Sequence, residues 1–184
     1  MCGRYSLFVE NDAEEIREII RQAGDAVKTG EIFPTNLAPI LLEDGQGLGA
    51  QAVGWGFPRF SSGGVIINAR AETAAEKRTF KNCLASRRCV IPSTGFYEWD
   101  AARQRFLFRQ QNDGLLYMAG LWNDFSGERR FVILTTAANA SVADIHNRMP
   151  LVLQRDQLNP WTHDLSAAMQ ILQQTPPALA RWAV

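Results

Sequence analysis

Apolar residues in this chain come mostly in short runs, and the spacing of those runs predicts many strands with a few helices between them. Arg4 to Val9 reads as a strand that ties the N-terminus into a sheet. Ile16, Ile19, Ile20 and Ala23 then recur at helical spacing, with Asn11 and Glu14 in a capping-box pattern before them and Gly24 as the stop. Short β-like runs follow at Ala38–Leu42, Leu48–Trp55, Val65–Ala69, Cys89–Ile91, Phe96–Trp99, Arg105–Phe108, Leu115–Leu121 and Phe131–Thr136. Gly, Pro, Asn and Asp separate most of them, and Gly45–Gly49 and Ser61–Gly64 read as hairpin or loop tips. Residues 72–86 read as a helix, Asn139–Ile145 as a short helix, and 154–173 as one or two more. The pattern predicts an α+β fold: an antiparallel, barrel-like β-sheet core with flanking helices.

Length and composition narrow the picture. With 184 residues and neither repeats nor a linker, the chain is expected to form one domain, residues 1–184. The apolar (46%) and charged (21%) fractions are those of an ordinary globular protein, and no run approaches the roughly 20 apolar residues of a membrane span. The N-terminus is no signal peptide, because Glu10, Asp12, Glu14 and Glu15 follow its short apolar run. Three cysteines (Cys2, Cys83, Cys89) form no disulfide framework, which suits a reducing cytoplasm. No CxxC or paired His/Cys spacing is present, so no metal site is expected.

A net charge of zero argues against coating nucleic acid by bulk electrostatics. The charge is unevenly spread, however. Residues 70–109 hold nine basic side chains against four acids, and residues 10–31 are acidic in compensation. An Arg-rich middle suits a localised phosphate groove, and equally a solvated surface.

The candidate chemistry begins at Met1-Cys2-Gly3-Arg4. Loss of Met1 would leave a 1,2-aminothiol, with thiol and amine titrating near about 8.5 and about 7.7–8.0. The amine condenses with an aldehyde, and the thiol then closes a five-membered thiazolidine. The plain alternative is that Cys2 merely follows the first residue. Four further segments sit where strands end: Ile67–Glu72, Cys89–Trp99, Leu134–Asn139 and Asp144–Pro150. Asn68, a poor strand former, has either a hydrogen-bonding role or a place at a strand end. Glu98, flanked by aromatics, either alternates into solvent or is a desolvated acid. His146 lies in a loop and reads as either structural or catalytic.

In their order, MCGR, WG, INARAET, RCVIPSTGFYEW and IHNRMPLVL closely resemble the SOS-response-associated peptidase (SRAP) family over residues 1–153. The resemblance implies the family's barrel-like α+β fold and its activity, covalent crosslinking to abasic sites in single-stranded DNA during the damage response. It implies that Cys2 is the catalytic residue once the chain's own peptidase activity removes Met1, with Asn68, Glu98 and His146 as the other active-site positions. Arg4, Arg70 and Arg148 would hold phosphates. Trp55 and Trp99 would lie near the DNA, and Asn36 and Pro39 in a loop beside the site. No cofactor is implied, and a lyase activity stays open. Sugar opening and imine formation both call for a proton donor, for which Glu98 and His146 are the candidates.

The chain departs from the family pattern twice. Trp55-Gly56 is followed by Phe57-Pro58-Arg59-Phe60 where the family usually has a second tryptophan, so Phe60 is the candidate for stacking. The chain also stops near Val184, short of the family's strand-like tail. A sheet edge is therefore expected to be exposed or covered by helices within 154–182. Two other readings use the same residues: a cysteine peptidase or amidohydrolase with Cys2, Glu98 and His146, and a non-catalytic DNA-binding module of arginines and tryptophans.

Overall fold

The computed structural model describes residues 2–9, 13–59, 63–112 and 114–184, and Met1, the cap at Asn11, the tip residues Ser61 and Ser62 and the stacking candidate Phe60 lie outside them. The chain order is β1 Tyr5–Leu7, α1 Ala13–Ala23, β2 Gly30–Ile32, β3 Leu37–Glu43, β4 Leu48–Trp55, β5 Phe57–Pro58, β6 Val65–Ile66, β7 Asn68–Arg70, α2 Ala71–Ala74 and α3 Arg78–Ser86. It continues with β8 Arg88–Ser93, β9 Gly95–Trp99, β10 Arg105–Arg109, β11 Leu116–Phe125, β12 Glu128–Ala137, β13 Arg148–Pro150, β14 Val152–Leu153, α4 Leu158–His163, α5 Leu165–Ile171 and β15 Ala180–Ala183.

The fold is α+β, and its centre is a closed barrel in the order β12-β4-β3-β8-β11 and back to β12. Its pairings are antiparallel except two: β4 and β12 run parallel, as do β7 and β12. A ring of five strands cannot alternate direction all the way round, so closure requires one parallel neighbour. Closure leaves the barrel strands without free edges. Gly120 lies where β11 crowds its neighbours; a Cβ there would stand 2.3 Å from Ile91 Cδ1 and 2.9 Å from the Val132 carbonyl oxygen.

A second, fully antiparallel sheet, β15-β10-β9-β1-β2, packs beside the barrel. Its inner face contributes Tyr5, Ile32, Phe96 and Phe108, all fully buried. The barrel answers with Trp55 stacked on Phe131 at 6.2 Å, and Tyr5 meets the Trp55 ring edge-on at 5.2 Å. Buried side chains form one contiguous core from Cys2 to Leu179. Among the described residues no helix is long and apolar enough to cross a membrane.

Several local expectations are overturned for identifiable reasons. Residues 139–145 form hydrogen-bonded turns instead of a helix. The Asn139 amide donates to the Pro176 and Pro177 carbonyls at 2.9 Å each, and its oxygen accepts from the Ser141 N–H and hydroxyl. Such side-chain bonds compete with helical ones. The predicted strand 65–69 breaks at Ile67, and the predicted helix 72–86 divides into α2 and α3. Helices end at Ile171, and the edge of β10 is covered by a strand, β15, that the apolar pattern did not reveal. Arg88, counted in the basic middle, is buried and donates to four carbonyls, those of Leu84, Ala85, Trp161 and Thr162. It joins helix ends to β8 and is no part of a phosphate surface.

The core also carries buried acidic protons. Burial pushes the Cys2 and Cys89 thiols well above their ordinary range. The folded chain keeps these protons where the unfolded chain releases them. Stability is therefore complete below the unfolded thiol value near pH 8.5 and falls above it, by about 1.4 kcal/mol per pH unit for each such thiol. Urea unfolding between about pH 7 and pH 10 checks this, and a flat profile contradicts it.

Candidate functional site

The site assembles around the C-terminal half of β12, because that strand changes partners there. Along one edge β4 pairs with Arg130 and Phe131 and then gives way to β7, which sets Asn68 opposite Ile133 and Arg70 opposite Thr135. Along the other edge β11 gives way to β13, with Arg148 opposite Ala137. The Ile67–Glu72 and Asp144–Pro150 segments thus reach one end of one strand from opposite sides.

Trp55 ties this end to the N-terminus. Its indole N–H donates to the Ile67 carbonyl at 3.0 Å, just before Asn68, while its ring packs on Tyr5, three residues after Cys2. The Tyr97 N–H donates to the Arg4 carbonyl at 3.0 Å, which sets β9 and its Glu98 beside the same segment.

Direct contact joins the segments at Cys2. Asn68 Nδ2 donates to the Cys2 carbonyl at 2.9 Å, and Asn68 Oδ1 is buried with no hydrogen-bond partner among the described residues. An oriented amide with an open acceptor suits an incoming N–H or O–H donor. The Cys2 side chain is fully buried, and its thiol faces the Arg4 carbonyl at 3.8 Å. Burial is the larger cause of its raised titration, and the carboxylate of Glu98, itself 4% exposed, is the second. Near neutrality the thiol is protonated, with Glu98 as the largest charge effect on it.

His146 is half-buried, and its Nδ1 meets both the Arg148 N–H at 3.0 Å and the Arg148 carbonyl at 3.2 Å, which fixes the ring beside β13. The Arg148 guanidinium is gripped from two directions. Glu72 takes it bidentately at 2.6 and 2.9 Å, and the Thr135 carbonyl accepts from it at 2.6 Å. Those bonds hold the Glu72 carboxyl below the usual carboxylate range. Glu72 and Thr135 stand inside segments singled out from the sequence, yet no local pattern marked them as partners of Arg148.

The three arginines expected at phosphates sit differently. Arg70 is exposed and makes no ion pair among the described residues. Arg148 is committed to Glu72. Arg4 lies over Phe33 at 4.4 Å and Trp99 at 5.2 Å and reaches Glu31 at 3.4 Å. Trp99 is half-buried at the end of β9.

Two of the residues that the resemblance set beside the DNA or the site, Trp55 and Pro39, belong to the interior. Trp55 is fully buried between Tyr5 and Phe131, so its ring brackets the site from within the core. Pro39 is buried within β3 opposite Ala52, in a strand and not a loop. Asn36 does lie in a turn, which it shapes: its Oδ1 accepts from the Phe33 N–H at 3.0 Å, and its carbonyl accepts from the Trp55 N–H at 3.0 Å.

The family model described as SOS response associated peptidase (SRAP) matches residues 1–184. The abasic site processing protein YoqW of Bacillus subtilis is 34% identical over 199 residues, spanning 94% of this chain and 87% of YoqW. The abasic site processing protein YedK of Escherichia coli is 29% identical over 88% of this chain and 79% of its own. A Bordetella bronchiseptica crystal structure superposes with a TM-score of 0.79 at 21% identity, over 100% of this chain and 99% of that one, a likeness of fold.

Proposed function

The chain belongs to the SOS response associated peptidase family, and on that premise we propose that it processes abasic sites in single-stranded DNA by forming a thiazolidine through Cys2. The observation that carries this reading is the meeting of three segments at one residue: Asn68 bonded to the Cys2 carbonyl, and Glu98 acting on the Cys2 thiol.

In this reading the chain first removes its own Met1, which frees the Cys2 α-amine. The amine attacks the aldehyde of the ring-opened sugar and forms a C–N bond. The carbinolamine loses water with a proton from Glu98 or His146 and becomes an imine. The thiol sulfur then attacks the imine carbon. Its proton passes to the carboxylate of Glu98 as the C–S bond forms, and the nitrogen gains a proton. Aldehyde and aminothiol thus give one thiazolidine and one water. Ring closure is intramolecular and profits from effective molarity, so a protonated thiol suffices. The open Asn68 Oδ1 orients the amine or a sugar hydroxyl.

The raised thiol also bears on the amidohydrolase reading. A turning-over cysteine hydrolase needs a standing thiolate, usually from a lowered pKa. Here burial and Glu98 act in the opposite direction. One self-cleavage event makes a far smaller demand.

The test is to incubate Met1-free protein with single-stranded DNA carrying an abasic site. A heat-stable, Cys2-dependent adduct supports the reading; peptide turnover with indifference to abasic DNA contradicts it. Of the phosphate arginines, exposed Arg70 is expected to act as a point contact. Arg70→Ala should weaken binding evenly across sequences and reduce the salt slope by about one. A slope equal to wild type in a salt titration removes Arg70 from the phosphate contacts.

A further inference from the structure

Strand alternation divides the five-stranded sheet into two unlike faces. The inner face is the apolar wall formed by Tyr5, Phe96 and Phe108. The outer face carries arginines and aromatics in register. Leu107 stands opposite both Tyr97 and Trp182, and Arg105 stands opposite Trp99. The Arg105 guanidinium lies 3.8 Å from the Tyr97 ring centre and 6.0 Å from that of Trp99. Arg4 continues the layer over Trp99 and Phe33. Phe33 and Trp182, toward opposite sides of this face, are 39% and 45% exposed.

The charges on this face are unequal. Among the described side chains, Arg4, Arg105 and Arg109 lie on this face, and the carboxylate of Glu31 bridges Arg4 and Arg105. Guanidiniums layered on aromatic rings, with open rings at both ends, match single-stranded nucleic acid: phosphates meet the arginines and bases stack on the rings. A protein partner would find few neutral hydrogen-bonding groups among these outward side chains. The face is continuous with the proposed site, since Arg4 is two residues from Cys2. From β1 to β15 it spans three strand spacings, about 14 Å.

We propose that this outer face is a second contact site for the single strand leading away from the lesion. Arg105 meets its phosphates and Trp182 stacks a base, while Glu31 holds Arg4 and Arg105 in place until phosphate displaces it. The inference rests on the abasic-site reading and adds to it a binding track across β9, β10 and β15.

The experiment measures affinity for oligonucleotides bearing a tetrahydrofuran analogue of the abasic site, which has no aldehyde and cannot crosslink. One is about 3 nucleotides long and the other about 11, with the analogue central. Wild type should favour the longer one. Trp182→Ala and Arg105→Gln should each cut that advantage by about fivefold to tenfold, and Arg105→Gln should also lower the salt slope by about one. Glu31→Gln should tighten the longer oligonucleotide about threefold, because it releases both guanidiniums. Length preference and salt slope equal to wild type in the first two variants overturn the proposal. So does a changed oligomeric state with unchanged DNA affinity, which would make the β15 edge a contact between copies. Failure of the underlying reading looks different: wild type would form no adduct with an aldehyde-bearing lesion, whatever these variants do.

Discussion

Cys2→Ser is expected to cut the yield of heat-stable adduct by about a thousandfold or more, while an imine still forms. In a Cys2→Ser preparation that already lacks Met1 the α-amine is kept, so attack on the aldehyde and loss of water proceed. A hydroxyl is a poor nucleophile toward the imine, and the ring it would form reopens readily. Borohydride distinguishes the two stages. It reduces the imine to a stable amine, so the serine variant should be trapped to nearly wild-type extent with the reductant and scarcely at all without it. Loss of adduct under both conditions would mean that the thiol is needed before the imine forms, contrary to the order given above. The buried, protonated thiol leaves the first attack to the amine.

Glu98→Gln is expected to slow adduct formation by about a hundredfold to ten-thousandfold, the usual worth of a positioned acid or base. The substitution preserves shape and most hydrogen bonding, but it removes both the charge and the ability to take the thiol proton. Because the carboxylate is the second cause of the raised Cys2 titration, its loss should lower the thiol pKa. Burial, the larger cause, keeps that pKa above the ordinary range. The variant should therefore combine a more acidic thiol with a slower reaction. A role in packing alone would slow the reaction and leave the titration unmoved. Thiol alkylation rates across pH, measured beside adduct kinetics, separate the two.

The apolar pattern carried the architecture well where contacts are local. The strand at Leu48–Trp55 appears with the predicted limits, and α1 lays Ile16 and Ile19 into the core as its periodicity required. It failed where distant contacts decide. Nothing near Trp55 indicates that Phe131 and Tyr5 will enclose it. Pro39 is different: the resemblance set it in a loop, and β3 takes it in as a buried strand residue, as the apolar run Ala38–Leu42 predicted. β2 and β15 were missed because each is a short run whose stability comes from a partner far along the chain: β1 for the first, β10 for the second.

The candidate site shows the same division. Asn68 and Glu98 were legible because each is a polar residue in an apolar strand, and such residues need a reason to be there. Their common neighbour could be named only from the family resemblance until the Asn68–Cys2 hydrogen bond gave it a geometry. The resemblance set Arg148 at a phosphate, but the sequence hides its pairing. Its commitment to Glu72 spans 76 positions. Glu31 was invisible for the same reason: its two arginines come from β10 and from the segment before β1.

The most direct test of the account is intact-mass measurement of two protein preparations, one retaining Met1 and one beginning at Cys2, after incubation with single-stranded DNA bearing one abasic site. The account predicts a heat-stable adduct only for the chain that begins at Cys2, with a mass equal to protein plus DNA less one water and the link mapped to Cys2. An equal adduct on the chain that retains Met1, a link at another residue, or no adduct from the free aminothiol would contradict it.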